Sequence, residues 1–175
     1  MHFSTVVTAV LSGASLASAH FSVVYPWWRG DSFATQWYFP PPLSREESSL
    51  ILPKNRNYPC GGVNQSISAN NRTLWPLDGG SVVFKGSHPW AQTYVNLGLG
   101  NNVTRLNVPL VTPFNQTGNG TFCFQHIPIP DSIRSNVTDG VNGTLQVIQL
   151  SETGGSLFNV SSFFPLFFFF AIVFQ

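Results

Sequence analysis

Residues 144–150 read TLQVIQL, and this short stretch shows the pattern that decides the fold class. Leu145 and Val147 alternate with polar neighbours, which is the period of a strand with one buried face. The alternation slips at Ile148, as a β-bulge would produce. Similar short runs, rich in β-branched and aromatic residues, are predicted as strands at 21–25, 81–85, 93–99, 103–111 and 121–125.

Clusters of glycine, proline, asparagine and aspartate separate these runs, at 78–80, 98–102, 118–120 and 139–143. No run shows a helical period of useful length, and no fixed-period repeat is visible. Short strands with regular turn signals predict an all-β, antiparallel β-sandwich. The 175 residues are enough for one such domain.

The composition excludes several classes of function. Only 9% of the residues are charged, against about a quarter in a typical globular protein, and the net charge is +1. Nucleic-acid binding needs a basic patch, and the sequence has none. Hydrolytic chemistry has no G-x-S-x-G elbow and few carboxylates to pair. Zinc-type Cys/His spacing is also missing.

Residues 1–19 are predicted to be a secretory signal peptide. An apolar stretch runs into small residues that end in Ala17-Ser18-Ala19, an A-x-A-like cleavage site, although the n-region has no Lys or Arg. Cleavage after Ala19 would make His20 the first residue of the mature protein. The chain is therefore expected to be secreted.

Eight N-x-S/T sequons support export through the secretory pathway, because they are acceptor sites for N-linked sugar. Attached sugars would also supply the solubility that the few charges do not. The predicted glycosylation sites are Asn64, Asn71, Asn102, Asn115, Asn119, Asn136, Asn142 and Asn159.

The two cysteines, Cys60 and Cys123, are expected to be oxidised in a secreted protein. If they pair with each other, the bridge closes a long loop and contributes about 4 kcal/mol in the chain-entropy model.

Two segments differ from the rest of the chain. Residues 41–59 hold five of the fifteen charged residues and four prolines, and they are predicted to be an inserted surface loop. Residues 159–175, the C-terminal tail, are strongly apolar but too short to span a bilayer unaided. Two interpretations of the tail remain open: a signal for a GPI anchor, or an intron translated as protein. Candidate attachment residues are Gly154, Gly155, Ser156, Ser161 and Ser162.

A mature N-terminal histidine predicts a metal site. The α-amine and the imidazole of His20 can chelate one ion, and the amine, with a pKa near 8, gives up its proton readily to a metal. One further imidazole, from His88 or His126, completes a T-shaped set of three nitrogens, the histidine brace. Tetragonal nitrogen ligands suit Cu(II).

The order and spacing of several motifs resemble the fungal copper acquisition factors, a family that is similar to lytic polysaccharide monooxygenases. The resemblance covers residues 20–158. The motifs that carry it are His20-Phe21, Tyr25-Pro26, Arg29-Gly30, Gln36-Trp37, Cys60-Gly61-Gly62-Val63-Asn64, Asn71-Arg72-Thr73, Trp75-Pro76-Leu77-Asp78-Gly79-Gly80, Phe122-Cys123 and Val137-Thr138-Asp139-Gly140.

The resemblance implies an immunoglobulin-like β-sandwich that binds one Cu(II) at the cell surface, held on a GPI anchor. It assigns His20, His88 and Asp139 as the copper ligands, with Asp131 as the alternative carboxylate. It also implies binding without oxidative cleavage of sugars, because a carboxylate ligand favours Cu(II) and takes the position that oxygen would need.

The chain departs from the family pattern in two places. Residues 41–59 interrupt a direct Pro-Cys junction, and a further cysteine expected near 157–159 is missing. The pairing of Cys60 with Cys123 therefore stays open, since each cysteine could normally bond elsewhere.

Three functions are carried forward. The first is copper acquisition or cell-wall regulation by a non-enzymatic surface protein, with a plasma-membrane copper transporter or wall components as partners. The second is a copper-dependent polysaccharide monooxygenase. The third is a glycan-binding or adhesion module that uses Trp27, Trp28 and Trp90.

Overall fold

The computed structural model describes residues 20–32, 56–64, 72–152 and 155–166. The predicted signal peptide, residues 41–55 of the insertion, the sequon at Asn71 and the last nine residues of the tail lie outside these ranges. The described strands are β1 (Phe21–Tyr25), β2 (Thr73–Pro76), β3 (Gly79–Gly86), β4 (Trp90–Leu99), β5 (Val108–Pro109), β6 (Phe114–Thr117), β7 (Gly120–Pro128), β8 (Gly143–Ser151) and β9 (Ser156–Leu166), and the short helix α1 spans Asp131–Arg134.

The strands form two sheets. A three-stranded sheet has the order β1-β3-β7, and a six-stranded sheet has the order β2-β9-β8-β4-β5 with β6 also paired to β4. The prediction of an all-β sandwich is confirmed. Its pairs are antiparallel except that β2 runs parallel to β9, which a long connection between the two strands permits.

Large apolar side chains fill the space between the sheets. Trp75, Phe84, Leu97, Leu145 and Phe163 are each completely buried. The Trp75 ring lies 5.0 Å from the Phe163 ring, centroid to centroid. Burying each such side chain stabilises the fold by about 1.5–3 kcal/mol, so the core links strands that are far apart in the sequence.

The strand β9 was not expected, because residues 159–166 were assigned to the C-terminal tail. Phe163 is fully buried and Ser161 and Ser162 have no exposed surface. The hydroxyl of Ser161 donates to the carbonyl of Pro26 at 2.7 Å. A strand buried on both faces has a continuous apolar run, which hydropathy alone does not separate from a signal segment.

The predicted bulge at Ile148 is wrong. The register of β8 with both of its neighbours, β4 and β9, is continuous along the strand. The alternation slips because both faces of β8 are covered. On the outer face Gln146 donates to the carbonyl of Pro59 at 2.5 Å, so the end of the predicted insertion packs on the sheet.

The predicted bond between Cys60 and Cys123 is not formed, since both cysteines are free. Cys60 is buried with Val103, Leu106 and Val160, on the outer side of the six-stranded sheet. Cys123 is exposed on β7 of the other sheet. Residues 103–111, predicted as one strand, supply these packing side chains instead and contain only the two-residue strand β5.

The predicted glycosylation sites differ in their surroundings. Asn159 is 1% exposed and its amide donates to the hydroxyl of Ser32 at 3.1 Å, so this fold has no room for a sugar there. Asn142 is half-buried. The other described sequons are exposed, at Asn64, Asn102, Asn115, Asn119 and Asn136. Over the described ranges, no helix is long and apolar enough to cross a membrane.

Candidate metal centre

Strand pairing places His20 beside the loop that carries His88. The antiparallel register of β1 and β3 sets Phe21 opposite Gly86, so the next pair outward is His20 and Ser87. The nitrogen of His20 donates to the hydroxyl of Ser87 at 2.8 Å. The amide of Ser87 donates to the carbonyl of His20 at 3.1 Å, and the Ser87 hydroxyl also donates to that carbonyl. In a mature chain the nitrogen held by Ser87 is the α-amine.

The imidazole of His88 is buried, with 6% of the residue exposed. Its Nε2 atom is buried and has no hydrogen-bond partner in the part of the chain that the structure describes. Burial lowers the pKa of His88 below its usual range, and the nearby charge of His20 lowers it further. The neutral imidazole, which is the form that binds metals, is therefore favoured.

The strand β6 and the turn that leads from it to β7 hold the backbone of the histidine loop, residues 87–89. Gln116 donates to the carbonyl of His88 at 3.0 Å. The amide of Gly118 donates to the carbonyl of Pro89 at 2.7 Å. Two successive carbonyls of the loop are thus bound by one short segment that crosses from the six-stranded to the three-stranded sheet.

Gln116 is itself held inside the protein, with 1% of its surface exposed. Gln149 donates to the side-chain oxygen of Gln116 and to the hydroxyl of Thr93 at 3.3 Å. A Cβ on Gly86 would lie 2.6 Å from the Gln116 oxygen, so only glycine fits there without displacing that side chain. This buried polar network connects the histidine loop to the core.

The structure does not bring the predicted carboxylates into a metal cluster with the histidines. Asp139 is exposed in the connection between α1 and β8. Asp131 has a side chain that is 95% exposed and pairs with Arg134 at 3.1 Å. Within the described ranges, no three His, Cys, Asp or Glu side chains form a group that could hold a metal ion. The third ligand therefore stays a prediction, and His126 is exposed on β7.

The residues present fit a copper ion as three nitrogen donors if cleavage after Ala19 frees the α-amine of His20: that amine, its imidazole and the imidazole of His88. The buried Nε2 of His88, which has no partner among the described residues, is the observation that supports the fit, because a buried polar atom normally has a partner. The sequence did not predict a role at this site for Ser87, Gln116 or Gln149. Their roles depend on strand pairing across long sequence separations, and no local pattern marks them.

The fold and the two histidines define a β-sandwich protein with a candidate nitrogen-donor metal site. The sequence-family model described as a BIM1-like copper acquisition factor domain matches residues 18–161. The chain belongs to this family, and the family supports a copper-related function.

Relatives from three fungi are similar to most of this chain. A lytic polysaccharide monooxygenase-like protein of Emericella nidulans is 34% identical over 87% of this chain and 68% of its own length. The lytic polysaccharide monooxygenase-like protein X325 of Aspergillus fumigatus is 35% identical over 83% of this chain and 66% of its own length. The protein ham-7 of Neurospora crassa is 32% identical, over 85% and 65%. The chain thus spans about two thirds of the length of these relatives, and no solved structure matches it.

The lowered pKa of His88 predicts a pH dependence of stability in the metal-free protein. Because the unfolded chain holds the ordinary pKa of 6.5, it binds more protons than the folded chain as the pH falls below that value. The free energy of unfolding should therefore decrease from about pH 6.5 downward through the folded pKa. Urea unfolding at several pH values, with chelator present, measures this slope.

The variant His88→Gln should show a shallower slope over that pH window. His126→Gln is the matched control, since His126 is an exposed histidine on β7, and it should leave the slope unchanged. Equal slopes for the wild type and His88→Gln would contradict the assignment to His88.

Proposed function

We propose that the mature protein begins at His20 and binds one Cu(II) ion through the His20 α-amine, the His20 imidazole and the His88 imidazole. The observation that carries the proposal is the placement of His88, with its buried and unpartnered Nε2, beside the residue that cleavage would make N-terminal. A chelating amine and two imidazoles are ligands for which divalent first-row metals show their highest affinity at copper.

Each neighbouring residue has a role in holding the ligands. Ser87 accepts a hydrogen bond from the nitrogen of His20, which orients the amine while leaving its lone pair for the metal. Gln116 fixes the carbonyl of His88. Asp139 is proposed as the third ligand residue, after His20 and His88. It is preferred to Asp131 because Asp131 already pairs with Arg134.

The proposed role is copper acquisition or homeostasis at the cell surface, without catalysis. Secretion follows from the Ala17-Ser18-Ala19 cleavage site, and the proposed partners are a copper transporter or cell-wall components. A GPI anchor is the proposed attachment to the membrane. Attachment at Gly155 or Ser162 would, however, remove all or part of β9, so an anchored form needs its attachment point beyond this strand.

The second candidate is oxidative cleavage of polysaccharides with the same brace. The relatives carry the description "lytic polysaccharide monooxygenase-like", which favours neither possibility. The third candidate, sugar stacking, rests on Trp27, which is 56% exposed, whereas Trp28 and Trp90 are only partly exposed. An isolated exposed tryptophan is weaker support than a pair of histidines at one site.

Titration of the mature protein with Cu(II) tests the proposal. We expect one ion per chain, and the His88→Ala variant should bind at least about tenfold more weakly because one donor is lost. Weak or multiple binding by the wild type would defeat the proposal. Incubating the copper-loaded protein with ascorbate and chitin or cellulose should release no oxidised sugars, and clear product would support the enzyme instead.

A further inference from the structure

The turn between β6 and β7 contacts the histidine loop with a residue that also begins a sequon. With its nitrogen toward the loop, the carboxamide of Asn119 lies 2.9 Å from the carbonyl of His88 and 3.1 Å from the carbonyl of Ser87. Gly118 and Gln116 bind the same loop from the same segment, residues 116–119. The carbonyls of Ser87, His88 and Pro89 thus all accept hydrogen bonds from this segment.

The nitrogen that makes these two contacts is also the atom that N-glycosylation would modify. Asn119, Gly120 and Thr121 form an N-x-T sequon in an exposed turn. Transfer of an oligosaccharide from its lipid diphosphate donor joins the sugar anomeric carbon to Nδ2, releases the diphosphate as leaving group, and removes one N–H proton. The primary amide has two N–H donors, and the glycosylated amide has one.

The glycosylated amide has one N–H for two carbonyls, and the sugar is attached to the atom that faces them. The two hydrogen bonds cannot both be kept as separate bonds. Modification of Asn119 therefore competes with its contacts with Ser87 and His88. The neighbouring sequon is different, because Asn115 is an exposed residue of β6 that alternates with the buried Gln116.

We propose that Asn119 is a positioning residue for His88, and that a glycan on Asn119 releases the histidine loop and weakens copper binding. The inference rests on the proposed copper site and adds a modification that controls it. The copper-competent form is the one in which this sequon is not glycosylated. Residues that support metal ligands through one intermediate contact commonly change metal affinity by about 10–100-fold.

Two single substitutions distinguish the effect of losing the Asn119 amide donor from the effect of losing the sugar. Asn119→Ala and Thr121→Ala both destroy the sequon, but only the first removes the amide donor. Thr121 is an exposed residue of β7, so its loss should not disturb the loop. Asn119 has a negative φ, so alanine fits its backbone. Asn115→Ala is the control for the loss of a neighbouring sequon, on β6.

The protein is produced from its full coding sequence in a glycosylating host and in the same host with glycosylation blocked. Copper affinity is measured by competition with a chelator, and the ligand geometry by electron paramagnetic resonance. We expect Thr121→Ala to bind like unglycosylated wild type in both hosts, and Asn115→Ala to bind like the wild type from the same host. Asn119→Ala and the wild-type fraction that carries sugar at Asn119 should bind about tenfold more weakly, with altered spectra.

Equal affinity and equal spectra for Asn119→Ala and Thr121→Ala would overturn the positioning role. If the fraction glycosylated at Asn119 binds copper with full affinity, the proposal that this glycan weakens copper binding is overturned. If even unglycosylated wild type beginning at His20 binds no copper, the proposed function fails. The positioning role of Asn119 can then still be tested by the NMR chemical shifts of the His88 imidazole nitrogens in the metal-free variants. A change in Asn119→Ala but not in Thr121→Ala supports the role, and no change in either variant contradicts it.

Discussion

A protein that retains Ala19 in front of His20, with the Ala19 amine acetylated, is expected to lose at least about a thousandfold in Cu(II) affinity relative to the protein that begins at His20. Retention turns the α-amine of His20 into a peptide nitrogen, whose lone pair is delocalised into the amide and binds Cu(II) only if the N–H proton is displaced. The amine donor and its chelate ring with the imidazole are then lost together. A thousandfold corresponds to about 4 kcal/mol of binding free energy.

The fold itself should not change in the extended protein. As a peptide N–H, the nitrogen of His20 donates to Ser87 at 2.8 Å, so the contact that ties the start of β1 to β3 is present in both forms. Thermal unfolding of the two metal-free proteins should give the same midpoint. Isothermal titration with Cu(II) then isolates the contribution of the amine.

A matched control keeps the free amine and changes the side chain. The variant His20→Ala retains the α-amine but not the first imidazole, and it should also lose affinity. Undiminished binding by the Ala19 form would show that the site does not use the amine, and the histidine brace would have to be abandoned.

A chain that stops after Gly155 is expected not to fold. The deletion removes β9, which is hydrogen-bonded to β8 on one side and to β2 on the other. It also removes the buried side chains of Leu157, Val160 and Phe163. At about 1.5–3 kcal/mol for each, their loss alone approaches the net stability of 5–15 kcal/mol that is usual for a domain.

A chain that stops after Leu166 is the control, because it keeps all of β9. Circular dichroism and the dispersion of amide signals should show a native sandwich for this chain and an unfolded spectrum for the shorter one. The milder variant Phe163→Ala should still fold, with a loss of about 3–5 kcal/mol in the free energy of unfolding. A cooperative thermal transition in the chain that ends at Gly155 would show that β9 is dispensable.

This experiment also bears on membrane attachment. Ser161 and Ser162 are completely buried in β9, and Ser162 accepts a hydrogen bond from the buried Arg29 at 2.7 Å. A GPI anchor replaces every residue after its attachment point, so attachment at either serine would remove Phe163 from the core. If the protein is anchored and the chain ending at Gly155 is unfolded, the attachment point lies C-terminal to Gly155.

Much of the fold class could be predicted from local patterns. Five of the six predicted strands correspond to long or complete strands of the structure, and β1 has the predicted limits of Phe21–Tyr25. In β1, β3, β4 and β7 the burial of successive residues largely alternates, so the period of these strands is visible without knowledge of their partners. The prediction of a strand at 103–111 was wrong because apolar residues in a loop can also be buried by packing, as Val103 and Leu106 are.

The parts that could not be predicted share a physical cause, which is burial on two faces or contact between remote segments. β8 and β9 are covered on both sides, so their sequences do not alternate cleanly, and one was interpreted as bulged and the other as a tail. Cys60 is packed against Val160. Neither a cysteine count nor its spacing identifies that neighbour.

The sequence by itself determined the all-β class, the family and the position of His20 after a cleavage motif, because these depend on local patterns and on motif order. Only the tertiary structure decided which groups surround His20. The pairing of β1 with β3 brings Ser87 to it from 67 residues away. The pairing of β6 with β4 then brings Gln116 to the carbonyl of His88. Such contacts arise when remote strands share a sheet, and no short stretch of sequence encodes them.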